Sequence, residues 1–559
     1  MPSPRPSLPR ISGRALTAAR IAAEAPGTAA ALREAMKRGL GIDALARLSE
    51  DARAALLPVD VRPVAGRPPR ARPDAGLPRT TTGGALRSAA EIQGAFREGR
   101  ASPVEVAERA LAAISALRDR RPGMNIIAAI DPARVRADAD AAAARHAAGA
   151  ARGPLDGVPV LIKDELDVAG LPTRQGSRST PEAPKERDGT LVARLREAGA
   201  VILGKTVMTE WGMSPIGANT NVAMPRNPHH PERGAGGSST GSAVGVALGV
   251  APIAVGTDAG GSIRVPASLC GVFGIKPTYG RVSRSGALIG GSVTHAGPIG
   301  ASPADLAAML DAVASAADPA DPTTAWAPPP PEGGFAAAFG AGARGLRIGV
   351  LEDEWRDASS EVASAGWEAL RALERDGAEL VQVALPLARH AAAIGYVTVV
   401  PEVVAERRRE WAERRQVLGD DLRVVLAVGA QITAQEHLDA RRLRARLREQ
   451  AAEALRRVDV LALPTVAGRA PRYSDDDARA CFSDAGAVDR LCRFAFLGNL
   501  TGLPAGTAPI GSDGEGVPIG LQLVGDAWDE VTVLGALAHL ARAGVAIPLR
   551  AQAVVDLLR

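Results

Sequence analysis

Short apolar runs of strand length recur along the chain and alternate with segments of helical periodicity. A short apolar run bounded by turn-forming residues is typical of a buried strand. Such runs are Val158–Ile162, Ala200–Leu203, Ile253–Val255, Leu346–Leu351 and Val458–Leu463. Because strands that alternate with helices favour a sheet covered by helices, the pattern predicts the α/β class.

Three serines mark predicted helix starts. Ser88 precedes Glu91 and Ser102 precedes Glu105 with the spacing of a capping box, in which each side chain accepts a hydrogen bond from the other's backbone N–H. A proline follows Ser102 and Ser302 directly, at the first helical position, where its missing N–H does no harm. We therefore predict that a helix begins after each of the three serines.

The N-terminal region differs in pattern from the rest of the chain. Between Ile11 and Leu57, apolar residues recur at roughly helical spacing. They are Leu16, Ile21, Leu32, Leu40, Ile42, Leu45 and Leu48. The proline- and arginine-rich segment Pro63–Pro78 then breaks the pattern. We predict a helical extension and linker over residues 1–80, one domain over residues 81–559, and a long surface loop within that domain at Asp318–Gly345.

The composition narrows the class of protein. Of the 559 residues, 46% are hydrophobic and only 3% aromatic, which predicts a large core of aliphatic side chains. The net charge of +4 arises from interspersed residues of both signs, so no nucleic-acid partner is expected. The three cysteines are too widely spaced for a disulfide framework or a zinc site, and we expect no metal and no cofactor.

The sequence has no apolar run of membrane-spanning length and no leader pattern. We therefore expect a cytoplasmic protein without a stable membrane anchor. Its length and composition leave both a monomer and a homodimer open.

The candidate chemistry lies in two glycine- and serine-rich stretches, Gly236–Ser242 and Gly256–Arg264, downstream of Lys163, which ends an apolar run. An arginine keeps its charge at any physiological pH, whereas a buried lysine can lose its proton and act as a base. Glycines allow consecutive backbone N–H groups to turn toward one point, where they can stabilise a developing oxyanion. This combination is typical of an amide-cleaving serine nucleophile with a lysine base.

With these motifs in this order, the sequence is similar to the amidase signature family from about Ser88 to the C terminus, most densely over residues 236–286. The resemblance implies one large mixed β-sheet flanked by many helices and hydrolysis of a carboxylic amide through an acyl-enzyme. It assigns the nucleophile to Ser262, the bridging hydroxyl to Ser238 and the base to Lys163. Residues 81–559 would then be the catalytic domain.

The resemblance also implies roles for the residues around the nucleophile. Backbone N–H groups would form the oxyanion hole at Ala259, Gly260 and Gly261. The supporting positions are Thr257, Asp258 and Arg264. An ordinary structural ion pair between the last two remains an alternative.

The acidic residues that follow Lys163 bear on its predicted role. Asp164 and Glu165 come directly after it, and a nearby carboxylate favours the charged form of an amine. A lysine base therefore requires these carboxylates to point elsewhere, and we state that orientation as an expectation.

More narrowly, the chain resembles plant-type fatty acid amide hydrolases in the segments Arg226–His229 and Pro266–Gly271 and in its helical N-terminal extension. That resemblance implies a small-molecule, lipid-like substrate: an N-acyl amide with a hydrophobic acyl group. Met208, Trp211 and Met213 fall where the family lines its acyl channel, although plain core positions remain an alternative for all three.

Other functions stay open on the sequence. The family also contains amidotransferase subunits, which release ammonia from an amide, and general aryl or short-chain amidases. Gly199–Thr206 matches a nucleotide-binding P-loop letter for letter, but its apolar interior indicates a buried strand. Gly237–Gly241 matches a nucleophile elbow centred on Ser239, with His295 as its least implausible partner, but no strand is predicted before it.

Overall fold

Within the residues that the computed structural model describes, a mixed sheet of eleven strands runs through the molecule. The described residues are 9–39, 41–42, 44–45, 48, 59–64, 86–120, 123–287, 291–480, 482–551 and 554–559. The strands are β1 (Ile11–Ser12), β2 (Ile127–Ala129), β3 (Pro159–Lys163), β4 (Val201–Thr206), β5 (Ile253–Asp258), β6 (Phe273–Lys276), β7 (His295–Gly300), β8 (Arg347–Val350), β9 (Glu379–Gln382), β10 (Val460–Pro464), β11 (Phe482–Ser483), β12 (Ala505–Ser512) and β13 (Pro518–Gly525). The order across the large sheet is β2-β4-β3-β5-β7-β6-β12-β13-β10-β8-β9, while β1 pairs with β11.

Helices surround the sheet. The α-helices are Gly13–Glu24, Pro26–Gly39, Ala89–Arg97, Pro103–Asp119, Pro132–Ala147, Thr190–Glu197, Thr240–Ala247, Arg264–Leu269, Pro303–Val313, Glu352–Asp357, Ser360–Arg375, Ala391–Glu406, Arg408–Arg414, Asp420–Gly429, Ala434–Leu455, Asp475–Ala480, Ala485–Cys492, Phe496–Thr501 and Glu530–Arg542. Single 3₁₀ turns span Glu210–Gly212, Pro322–Trp326, Ala388–His390 and Arg415–Val417. Among these described helices, none is long and apolar enough to cross a membrane.

Both faces of the sheet are buried, as the α/β prediction requires. Along β10, Val460 and Ala462 belong to one apolar cluster, whereas Leu461 and Leu463 belong to another. Since successive residues of a strand point to opposite faces, the two clusters lie on opposite sides of the sheet. The sheet contains parallel pairs, such as β3 with β5, and antiparallel pairs, such as β12 with β13. The predicted α/β class with one large mixed sheet and flanking helices is therefore confirmed.

The predicted helix starts are also confirmed. Ser88 and Ser102 each form a complete capping box. The Ser302 side chain accepts a hydrogen bond from the backbone N–H of Asp305 at the start of its helix. Local sequence chemistry determines these three positions because the caps satisfy backbone N–H groups that have no partner inside the helix.

The N-terminal helices lie against the helix Asp420–Gly429. Thr17 donates a hydrogen bond to Asp420 over 2.8 Å, and Arg423 forms an ion pair with Glu24 at 2.8 Å. Leu40 and most of Pro63–Pro78 lie outside the described residues, so the boundary at residue 80 stays a prediction.

The stretch Asp318–Gly345 is not the plain surface loop that its prolines and alanines predict. It contains the turn Pro322–Trp326, and the side chains of Phe335 and Phe339 are fully buried. These two rings anchor the segment in the main core because burying an aromatic side chain removes a large apolar surface from water.

Candidate active site

Two parallel strands bring a lysine and a threonine to the same edge of the sheet. Lys163 is the last residue of β3, while Thr257 and Asp258 end β5. Because β3 and β5 are parallel neighbours, their carboxyl ends meet at one edge. Crevices outside the carboxyl ends of strands are the usual place for ligands in α/β sheets.

Two glycine-rich loops supply the hydroxyl groups at this edge. Ser238 precedes the helix Thr240–Ala247 and follows a cis peptide bond, and Ser262 precedes the helix Arg264–Leu269. Ser238 is buried, whereas Ser262 is half-buried. Both serines border one cavity of about 50 Å³, so a small group that enters it can meet both side chains.

Lys163 is completely buried, and its Nζ contacts three oxygen atoms. Ser238 Oγ lies at 2.7 Å, Thr257 Oγ1 at 2.6 Å and Glu165 Oε2 at 3.0 Å. An ammonium has three N–H donors and can satisfy all three oxygens. A neutral amine can donate to two of them and accept a hydrogen bond from the third, so the geometry accommodates either protonation state.

The surroundings of Lys163 act on its proton affinity in opposite directions. Burial lowers the pKa of the ammonium, while the charges of Glu165 and, more weakly, Asp258 raise it. Burial has the larger effect, so the pKa of Lys163 lies below its ordinary value. A lysine in this position gives up its proton more readily than one in water.

The expectation that both acidic neighbours point away from Lys163 is correct for one and wrong for the other. Asp164 turns to Lys205, whose Nζ lies 2.9 Å from its Oδ1. Glu165 turns toward Lys163 and also accepts a short hydrogen bond from the hydroxyl of Thr257. The contact with Glu165 opposes loss of the proton from Lys163, but burial has the larger effect on the pKa, so a lysine base does not require that both carboxylates point away.

The loop that carries Ser262 is built from glycines for steric reasons. A Cβ at Gly260 would lie 2.6 Å from the ring of Phe496, and one at Gly261 would lie 2.6 Å from the Cβ of Ala495. The φ of Gly261 is also +118°, which side-chain-bearing residues rarely adopt. Only glycine fits at either position without a shift of the surrounding structure.

The predicted oxyanion donors fall into two groups. The N–H of Gly261 donates to Asp258 Oδ1 over 2.7 Å, so it is occupied. Within the described part of the chain, the N–H groups of Ala259 and Gly260 make no hydrogen bond. Ala259 and Gly260 are therefore the donors that a bound oxyanion could use.

Asp258 and Arg264 hold the loop that carries Ser262 in place through hydrogen bonds. Arg264 donates to both carboxylate oxygens of Asp258, over 2.9 and 3.0 Å, and Asn499 donates to one of them over 2.9 Å. Burial alone would raise the pKa of Asp258, but the charge of Arg264 and its hydrogen bonds hold that pKa well below its usual range. The pair is fully buried, and its hydrogen bonds to the loop support the structural ion-pair alternative.

Of the three residues predicted to line the acyl pocket, two line the cavity and one does not. Trp211 and Met213 line the cavity beside Ser238 and Ser262, whereas the fully buried Met208 does not. Met208 instead accepts a hydrogen bond at its backbone oxygen from Asn219. For Met208 the structure therefore favours the core alternative.

Sequence reasoning missed two polar residues that complete the site. Asn499 bridges Asp258 and Arg264, and Gln522 in β13 accepts a hydrogen bond from Arg264. Each is a lone amide side chain inside an otherwise apolar run. That contrast is the signal that could have singled them out, since a buried amide needs a polar partner.

Two motif matches have structural explanations. The P-loop match is mostly strand β4: it lies inside the sheet, and Lys205 pairs there with Asp164. Ser239 is buried, and its Oγ bonds the backbone of Thr257, while His295 bonds the carbonyl of Val293. Neither the nucleotide site nor the Ser239 elbow is therefore supported by the geometry.

Comparisons with known proteins identify relatives of the chain. The family model described as Amidase matches residues 105–534. A fatty acid amide hydrolase of Medicago truncatula is 35% identical over 450 residues, which cover 79% of this chain and 73% of that protein. A glutamyl-tRNA(Gln) amidotransferase component of Roseiflexus castenholzii is 36% identical over 473 residues, covering 80% and 93% of the two chains. A solved structure of an amidase superposes with a TM-score of 0.71 at 32% identity, covering 81% and 99%.

Proposed function

The chain belongs to the amidase family and is a hydrolase of amide bonds, and on that premise we propose that Ser262 attacks the amide with the help of Ser238 and Lys163. One observation carries the proposal. The Nζ of the buried Lys163 lies 2.7 Å from Ser238 Oγ, and Ser238 borders the same cavity as Ser262. A buried amine, a bridging hydroxyl and a half-buried hydroxyl are the groups that a proton relay needs.

The proposed relay moves one proton in each direction. Ser262 Oγ attacks the carbonyl carbon and passes its proton to Ser238, which passes its own proton to neutral Lys163. The carbonyl π electrons move to the oxygen, which Ala259 and Gly260 N–H groups stabilise. When the tetrahedral intermediate collapses, the C–N bond breaks, Ser238 gives its proton to the departing amine, and Lys163 returns a proton to Ser238. Water then hydrolyses the acyl-enzyme by the same relay.

A fluorophosphonate probe tests the assignment of the nucleophile. Such probes phosphonylate activated serines, so we expect one covalent adduct, located on Ser262 by mass spectrometry of proteolytic peptides. Ser239 directly follows Ser238 in the sequence and is fully buried, so it serves as the internal comparison for labelling. An adduct on Ser239 instead of Ser262 would assign the nucleophile to the elbow motif.

We further propose that the substrate is an N-acyl amide with a hydrophobic acyl group, in keeping with the similarity to a fatty acid amide hydrolase. A second cavity of about 120 Å³ shares the lining residue Met213 with the first. Other apolar residues that line it are Met36, Ile42, Ile216, Val400, Leu422, Val425 and Phe482. The described lining is largely apolar, with Glu210, Asp421 and Asp484 as its charged members. Such a chamber suits an acyl chain, and Met36 and Ile42 show that the N-terminal region forms part of its wall.

Acyl length should therefore control catalytic efficiency. Each buried CH₂ contributes about 0.8 kcal/mol, so kcat/KM should rise by up to about fourfold per added carbon until the chamber is filled. We expect V425W, which fills the chamber, to remove this rise for long acyl groups and to leave short-chain amides little affected. The measurement is kcat/KM for a series of primary amides from acetamide to oleamide. A flat series in the wild type would indicate a general short-chain or aryl amidase.

The similarity to an amidotransferase component carries a second candidate function, ammonia release from glutamine. Glutamine bears a carboxylate, whereas the charged residues that line the cavity among the described residues are Glu165, Glu402 and Glu406. These acidic groups can pair with the α-ammonium of glutamine, but none of the described lining residues offers a positive charge to its carboxylate, so the lining disfavours glutamine. Ammonia release from L-glutamine that exceeds the best acyl amide in kcat/KM would favour the second candidate.

A further inference from the structure

A carboxylate lies directly against the proposed base. Glu165 is 2% exposed, and its Oε2 lies 3.0 Å from Lys163 Nζ. The same oxygen accepts a hydrogen bond from the hydroxyl of Thr257, which in turn lies 2.6 Å from Lys163 Nζ. Lysine, threonine and glutamate thus form a closed triangle of polar contacts next to the pair of Lys163 and Ser238.

We propose that Glu165 is a positioning residue for amide hydrolysis, which aims the lone pair of neutral Lys163 at Ser238 and stabilises the ammonium that forms during attack. This inference rests on the proposed role of Lys163 as the base. A neutral amine has two N–H donors and one lone pair. With Thr257 Oγ1 and Glu165 Oε2 as the two acceptors, the third direction from Nζ is toward Ser238 Oγ.

The proton balance of the step follows from this geometry. Before attack, Lys163 is an amine and Glu165 a carboxylate. After attack, Lys163 has gained the proton of Ser238 and is an ammonium in contact with that carboxylate. Opposite charges at 3.0 Å inside a protein attract strongly, so Glu165 stabilises the ammonium relative to the same buried ammonium without a carboxylate beside it. The third member of a Ser-His-Asp triad stabilises its imidazolium in the same way.

The other charged groups near Lys163 have partners of their own. Asp258 also raises the pKa of Lys163, but it is bound by the two donor nitrogens of Arg264. Asp164 is bound by Lys205. Among the described residues, Glu165 is therefore the carboxylate in direct contact with the amine, and removing its charge should have a specific effect.

The pH dependence of kcat/KM distinguishes this role from a purely structural one. Activity requires the neutral amine, so it rises as the pH passes the pKa of Lys163. Because Glu165 raises that pKa, the E165Q variant, which keeps the shape and one acceptor oxygen, should shift the acidic limb to lower pH by about 1 unit or more. The weaker base should also lower the plateau rate about tenfold.

A buried glutamate elsewhere supplies the matched control. Glu354 is 5% exposed and follows β8, which lies near the opposite edge of the sheet from β3. Burial raises the pKa of Glu354 to about 7. The E354Q variant makes the same substitution at a buried glutamate outside the site and should leave the acidic limb in place. Circular dichroism and thermal unfolding of both variants report whether they are folded.

The outcomes separate the possibilities. An acidic limb in E165Q that stays at the wild-type pH or moves upward overturns the inference, even if activity falls. Should E165Q not fold, E165D replaces it, because aspartate keeps the charge but holds it farther from Lys163. An acidic limb at lower pH than in the wild type then supports the inference, and an unchanged limb overturns it. If amide turnover is too slow, the rate of fluorophosphonate labelling at each pH gives the same limb. Full activity of a Lys163 variant would instead refute the underlying proposal of a lysine base.

Discussion

The Ser262→Ala variant should lose amide turnover by at least about 10⁴-fold, the largest effect expected of any single change in this chain. Without the hydroxyl no acyl-enzyme can form, and only binding and the oxyanion donors remain to accelerate the reaction. Ser262 is half-buried at the cavity, and within the described residues its hydroxyl makes no hydrogen bond, so the variant should fold normally. Steady-state turnover of a long-chain primary amide, together with the melting temperature, measures both expectations.

The Ser239→Ala variant is the matched control for this experiment. Ser239 is a buried serine that bonds the backbone of Thr257. Its loss removes two structural hydrogen bonds, at a cost of about 1–3 kcal/mol in stability, so turnover should stay far above that of S262A. The reverse order of activities would contradict the assignment of the nucleophile.

Sequence patterns predicted those parts of the fold that depend on local chemistry. The apolar runs such as Ile253–Val255 and Val458–Leu463 largely coincide with strands, and the capped serines begin helices. The pattern did not reveal β7 or β12, which contain glycines and prolines among their apolar residues. These strands are stabilised by neighbours on both sides of a sheet, so tertiary pairing outweighs their weak local preference.

The candidate site was predictable where a motif carries the chemistry and unpredictable where contacts between distant segments decide. The sequence singled out Lys163, Ser238 and Ser262, and the structure places the first two in contact and both serines at one cavity. The orientation of Glu165 was not predictable, because it depends on Thr257 at the end of another strand. The same limit applies to Asn499, which reaches Asp258 from a distant helix.

The Lys163→Met variant should lower amide turnover at neutral pH by roughly 10²–10⁴-fold, the range expected for loss of a general base. Methionine is close to lysine in length but cannot accept a proton, so Ser238 would have no group to which it could pass its own. The acidic limb of the pH profile should disappear as well, since it reports the titration of this amine. A profile with the wild-type limb would show that another group is the base.

The Lys163→Met substitution should also lower the free energy of unfolding. A second substitution that restores stability therefore separates loss of stability from loss of the base. Lys163 donates a hydrogen bond to the buried carboxylate of Glu165, and removing only the lysine leaves that carboxylate with Thr257 as its remaining donor, at a cost of about 1–3 kcal/mol. The double variant K163M/E165Q removes the amine and the carboxylate charge together and should recover most of the lost stability in urea unfolding. We expect it to remain as inactive as the single variant, because stability returns without a base. Recovery of activity together with stability would mean that Lys163 supports the fold and takes no part in proton transfer.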